Sequence, residues 1–307
     1  MANTFITPTV IAKRALAVLY NSTVFLPLVL RDYDSDFTGK QGDTVTIKTP
    51  ASFTAQTFSR GSGISIQSAT ETSTTIALDT ILDVSFEVNN EDMLLKVEDF
   101  SAQLLNPAME AISQSIDLSL AENLIDSAEG VGGGGTVTWS ASTASTVFTG
   151  ELGARSKLNR NKIPTSPRYA VFSPEGAGIC LTDSKFVEAD KSGWTDTLRE
   201  GSVGRLFGFD TYESQMLGYS VGASDAGQAD GVAFHREAVA FVSRSLGVPI
   251  GAATGNVADA TYKGLGLRVA KDYNITYKKD VVSVDILCGY KKLRPSAAVQ
   301  LSFGLGS

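Results

Sequence analysis

Apolar and polar residues alternate along several stretches of this chain, and each such stretch predicts a strand. From Gly42 to Lys48, Val45 and Ile47 interleave with Thr44, Thr46 and Lys48, and the run stops at Pro50. Val84, Phe86 and Val88 alternate with Asp83, Ser85 and Glu87. Tyr169 to Phe172 is a short apolar run of the kind a buried strand carries. In the closing third the period of two returns at Leu265, Leu267 and Val269, at Tyr273, Ile275 and Tyr277, at Val282, Val284 and Ile286, and at Val299, Leu301 and Phe303. The polar pairs Lys271-Asp272 and Lys279-Asp280 read as turns that join these strands into an antiparallel meander.

Elsewhere the spacing is helical. Leu105, Met109, Ile112, Ile116, Leu120 and Leu124 recur at steps of three and four and predict a helix over 106–127, with Asn106 as its cap and Pro107 in its first turn. At 1.5 Å per residue it is roughly 30 Å long, and its narrow apolar stripe suits a helix laid across a sheet. Shorter helices are predicted over 150–161, closed by Pro164, and over 236–246, where Ala238, Val239, Val242 and Leu246 form the stripe. The glycines from Gly132 to Gly135 read as a flexible joint.

Two regions show neither period. Before Gly42, the pieces Ala15 to Leu19 and Val24 to Leu30 are apolar but irregular and broken by Pro27, which reads as an arm. From Ala51 to Asp79 Ser and Thr dominate, and Phe53, Phe58, Ile64 and Ile66 are scattered around a Gly61-Ser62-Gly63 tip that also carries Arg60. Such an excursion buries too little to order itself, and a loop of this length is uncommon in a compact domain unless it binds something.

Composition narrows the function. With 43% hydrophobic and 19% charged residues in 307, the chain has enough apolar content for one or two cores. Its 26 basic and 33 acidic residues give a net charge of -7, the wrong sign for a protein whose main role is gripping phosphate backbones. No run approaches the roughly 18 apolar residues of a membrane span, and no signal peptide is visible, so an intracellular origin is expected. Cys180 and Cys288 stand alone in apolar stretches and read as buried free thiols. The basic pairs Lys278-Lys279 and Lys291-Lys292 are expected to face solvent or an acidic neighbour.

The enzymatic motifs fail on context. Gly218-Tyr219-Ser220-Val221-Gly222 has the nucleophile-elbow spacing, with Asp225, Asp230 and His235 following, but a loop composition replaces the helix an elbow needs after Ser220. His235 is the only histidine, so no other His-based acid–base scheme has a candidate. Asp32, Asp34, Asp36 and Asp43 match positions 1, 3, 5 and 12 of a calcium loop, yet Phe37 replaces the glycine and Asp43 the bidentate Glu, so an acidic turn is expected. No cofactor, metal or catalytic set is predicted, and the chain is read as a non-enzyme.

The order of parts carries a resemblance. Gly42-Asp43-Thr44-Val45-Thr46-Ile47 entering the loop, the run from Leu198 to Asp210, the run from Val232 to Ala238 opening a helix, and Asp285-Ile286-Leu287-Cys288-Gly289-Tyr290 followed by Arg294-Pro295-Ser296-Ala297-Ala298-Val299 are similar to recurrent segments of tailed-bacteriophage major capsid proteins. Across essentially the whole length the chain resembles that family and its Hong Kong 97-type α+β shell fold. The resemblance implies an N-terminal arm over 1–48, an extended loop over 49–82, a peripheral domain with a long spine helix over 83–149, an axial domain over 150–264 and a returning sheet of the peripheral domain over 265–307.

It also implies a function: hexamers and pentamers closing into an icosahedral head around double-stranded DNA, in a virion assembled in the host cytoplasm. The implied partners are copies of the chain itself, a separate scaffolding protein, a portal and a decoration protein, with DNA enclosed but not read and no membrane. Phe53, Phe58, Arg60, Ile64 and Ile66 are the candidate intersubunit contacts. Some relatives cross-link a loop lysine to an asparagine of the next subunit, but no lysine lies between Lys48 and Lys96 here. An encapsulin-type nanocompartment shell is the alternative on the same fold, and a hydrolase using Ser220 the alternative from another class.

Overall fold

A computed structural model describes residues 11–13, 15, 19, 23–33, 42–49, 53, 55–58, 60, 61, 63, 64, 66, 67, 72–89, 104–129, 133–140, 146–180, 205–217, 230–247, 256–262, 265–276 and 279–304. Strands β1 (Thr44–Thr49) and β2 (Thr72–Ala77) pair antiparallel as a two-stranded ribbon, with Val45 opposite Ile76 and Ile47 opposite Thr74. Gly42, at a φ of 81°, turns the chain into the ribbon, a left-handed conformation that glycine adopts without strain. The polar two-armed excursion is therefore strand-paired at its root.

Two larger sheets follow. Strand β3 (Thr80–Asn89) pairs with β12 (Lys279–Lys292), which pairs with β11 (Leu265–Asn274), and β10 (Val257–Tyr262) closes that sheet. β9 (Val239–Arg244) pairs with the far half of β12, beyond the end of β11. The second sheet runs β4 (Thr136–Ser140), β13 (Ala298–Gly304), β8 (Gly231–His235), β5 (Arg168–Phe172), β7 (Phe209–Glu213) and β6 (Arg205–Leu206). Helix α1 (Asn106–Glu129) packs against strands of both sheets, α2 (Thr146–Arg160) lies on β4 and β13, and the short α3 (Pro174–Cys180) follows β5.

Met109, Ile112, Ile116, Leu120 and Leu124 of α1 are buried, as their spacing predicts, but so are Ser113, Asp117 and Ser127. Asp117 ties the helix to the segment before the ribbon, because its carboxylate accepts from the backbone N–H of Val24 (2.7 Å) and of Phe25 (3.2 Å). Burial outweighs those two bonds and pushes its pKa up to about 6. Asn106 does not cap the helix, because a wide helical turn at Leu104 and Leu105 precedes it. The expected helix over 150–161 begins earlier, at Thr146.

Four expectations are corrected. The helix predicted over 236–246 is a turn followed by β9, in which Val239, Ala240, Phe241 and Val242 are all buried. An unbroken apolar run fits a helix stripe and a strand buried on both faces equally, and pairing with β12 decides between them. Lys271-Asp272 and Lys279-Asp280 are not turns: the first lies inside β11 opposite Val282 and Val281, the second opens β12 opposite Asn274 and Tyr273, and Lys271 Nζ reaches diagonally across the strands to Asp280 Oδ2 at 3.2 Å. The strand of Val299, Leu301 and Phe303 leaves the meander and joins the second sheet between β4 and β8. Gly132 lies outside the described residues, and the rest of the expected flexible joint is closely packed: a Cβ on Gly133 or Gly134 meets the carbonyl oxygen of Ala128 or Ala298 at 2.2 Å.

The described part of the arm also differs from its reading. Ile11, Ala12, Ala15 and Leu19 are helical and buried, Phe25, Leu26, Leu28 and Val29 are buried with them, and Leu30 bridges Ala240. These residues complete this chain's own core. Both cysteines are buried and neither forms a disulfide, and burial holds the Cys288 thiol up at about 11.

Candidate assembly surface

The ribbon is anchored at one end and bare at the other. At its root Ile76 and Leu78 are fully buried against Ala240, Val242 and Leu287, with Val45 and Ile47 packed beside them. Backbone bonds from Gly42 N–H to Leu78 O (2.6 Å) and from Leu78 N–H to Asp43 O (3.0 Å) close the base. Away from the root the structure places Phe53 at 66%, Phe58 at 64%, Ile64 at 82% and Ile66 at 92% exposure, with Arg60 exposed beside them. Each such side chain stabilises an interface that covers it by about 1.5–3 kcal/mol. Four apolar side chains this exposed within one short stretch of chain make it the candidate contact surface.

Sequence reasoning missed a second exposed apolar site. Ile275 is 80% exposed in the turn after β11, next to the half-exposed Tyr273. The signal was present: Asn274 precedes it, and the Asn274 side-chain oxygen accepts from Thr276 N–H (3.0 Å), a side-chain-closed turn that strand periodicity alone does not reveal.

Among the described residues the candidates for chemistry do not assemble. Ser220 and Asp225 lie outside the described residues. His235 is buried at the end of β8, its Nδ1 accepts from Glu237 N–H (3.3 Å), and burial pushes its pKa down. Asp32 is ion-paired with Arg236 at 3.1 Å, while Asp34 and Asp36 lie outside the described residues. Among the described residues no group of three metal-ligating side chains occurs, and no helix is long and apolar enough to cross a membrane. Lys279 pairs with Glu87 and Lys292 with Asp126, the acidic neighbours expected for those cations.

No family model matches the chain, and no curated protein matches it. Solved structures do. A structure from Mycobacterium phage Che8 superposes with a TM-score of 0.67 at 23% identity over 91% of this chain and 90% of that one. The capsid of cyanophage P-SCSP1u gives 0.65 at 17% identity over 92% and 89%. The mature capsid of bacteriophage PhiM1 gives 0.68 at 15% identity over 93% and 88%. This is a phage-capsid fold. The match covers about nine-tenths of both chains.

Proposed function

We propose that this chain is the major shell subunit of a tailed-phage head, assembling with copies of itself into hexamers and pentamers that close around double-stranded DNA. The observation that carries the reading is the similarity of fold to phage capsid structures over about nine-tenths of this chain and theirs. Those neighbours favour a phage head over the encapsulin-type compartment. In this reading β1 and β2 form the extended loop, α1 the spine helix, and the second sheet the core of the axial domain. Phe53, Phe58, Ile64 and Ile66 bury against a neighbouring subunit and Arg60 pairs there. A separate scaffolding protein directs closure, a portal occupies one vertex, and assembly takes place in the host cytoplasm.

The test is electron microscopy of the purified chain with and without a co-expressed scaffolding protein from the same genome. The expected outcome is monomers or small capsomers alone and round shells with the scaffold. A chain that stays monomeric under both conditions, with residues 51–79 resisting protease, overturns the reading.

A further inference from the structure

Charge is segregated along β5. Residues 146–168 contain five basic residues, Arg155, Lys157, Arg160, Lys162 and Arg168, and one acid, Glu151. Glu151 is buried with neither carboxyl oxygen hydrogen-bonded, so it neutralises none of them. Among the described residues none of the five forms an ion pair. Lys157 Nζ donates to Thr136 O (2.6 Å). Arg168, only 3% exposed, gives its hydrogen bonds to neutral acceptors: Pro164 O and Ile163 O at 2.7 Å and Asn159 Oδ1 at 2.8 Å. A buried guanidinium with no anion, beside the exposed Arg155, Arg160 and Lys162, leaves this end of β5 strongly positive.

The other end of β5 is negative. Its last residue, Phe172, pairs with Glu213 of β7, and α3 begins two residues later with Glu175 in its first turn. Glu213 and Glu110 of α1 line one cavity of about 280 Å³. Glu110, Glu175 and Glu213 are all exposed, whereas Asp210 lies opposite Tyr169 at the cationic end, where Arg205 already pairs with it at 3.3 Å. In sequence the chain from Glu175 to Asp230 carries ten acidic residues against four basic ones. Arg168 and Phe172 are four residues apart, about 13 Å at strand rise, so the two charges sit at opposite ends of one rigid unit.

Resting on the shell reading, we propose that the cationic end formed by Arg155, Arg160 and Lys162 is an interface that seats the acidic end, Glu110, Glu175 and Glu213, of the next copy of this chain. Two different, complementary patches on one subunit make a head-to-tail contact, and a head-to-tail contact that closes generates a ring. A second copy fits better than DNA because the complement is on the same unit. With a net charge of -7 for the whole chain, the remainder repels a polyphosphate. Complementary charge also fixes orientation and suppresses the reversed pairing.

The experiment uses the full chain co-expressed with its scaffolding protein. Arg155→Glu with Arg160→Glu makes both ends acidic, and Glu175→Lys with Glu213→Lys makes both ends basic. Each double variant alone is expected to need at least about tenfold more protein to form capsomers than the unaltered chain. Mixed one to one, the two restore assembly in rings of even number, because opposite ends then alternate, while pentamers stay blocked. Circular dichroism and melting of each variant confirm that it folds. Folded variants that each assemble like the unaltered chain overturn the inference and leave the shell reading standing. An unaltered chain that never assembles overturns the shell reading instead. A mobility shift of double-stranded DNA at low salt that the arginine variant loses while its assembly is intact assigns the patch to DNA and overturns the inference.

Discussion

At the scale of single residues, the buried groups set the chain's response to pH. Burial pushes the Glu151 carboxyl up from 4.5 to about 8, so the folded chain holds that proton more tightly than the unfolded one. The stability this proton confers is full below about pH 4.5, falls by about 1.4 kcal/mol per pH unit as pH rises, and is gone above about pH 8. Glu151→Gln removes the titration. Its melting temperature is therefore expected to lie close to that of the unaltered chain near pH 5, to exceed it increasingly up to about pH 8 and by a constant margin beyond. Equal melting temperatures at pH 9 refute the assignment. Ile116, fully buried at the middle of α1, makes the opposite kind of test: Ile116→Ala is expected to cost about 2–5 kcal/mol in urea unfolding, and Ile116→Asp to abolish soluble protein.

At the scale of elements, the ribbon depends on one glycine. Gly289 of β12 lies where a Cβ meets Ala77 O, at the end of β2, at 1.9 Å. Backbone cannot yield as a flexible side chain does, so Gly289→Ala must push the ribbon root off Leu287 and Val242. The expected outcome is a loss of about 1–3 kcal/mol in stability, together with faster proteolysis near Thr72–Ala77, measured by limited digestion. Digestion no faster than in the unaltered chain would falsify this account of the root. Gly266 plays the same part where β11 begins: its Cβ meets Ser245 N at 2.1 Å, so the backbone after β9 approaches β11 through a position without a side chain.

At the scale of the whole molecule, the loop's composition limits how a shell is held. The described loop residues expose Arg60, whose guanidinium cannot act as a lysine amine does in amide cross-linking, and no lysine lies between Lys48 and Lys96. Mature particles boiled in detergent are therefore expected to run as a single band near 32.4 kDa. A ladder of covalent multimers overturns this. In the proposed shell, association would rest on apolar burial at Phe53, Phe58, Ile64 and Ile66 and on complementary charge, so shells are expected to loosen in mild denaturant before subunits unfold.

Period and composition were enough to locate β1, β3 and β5, the long helix α1 with its buried face, and the apolar tip of the ribbon, because each is a local pattern that one strand or helix must satisfy by itself. The exposed Phe53, Phe58, Ile64 and Ile66 were legible because a Ser- and Thr-rich surround offers them nothing to pack on. Tertiary structure alone decided that residues 239–244 form a strand, that β13 sits between β4 and β8, and that Ile11, Ala15 and Leu19 belong to the core. Those outcomes depend on partners far away in the chain. An apolar run buried on both faces carries no period to read, and strand pairing at long range leaves no mark in the local order of residues.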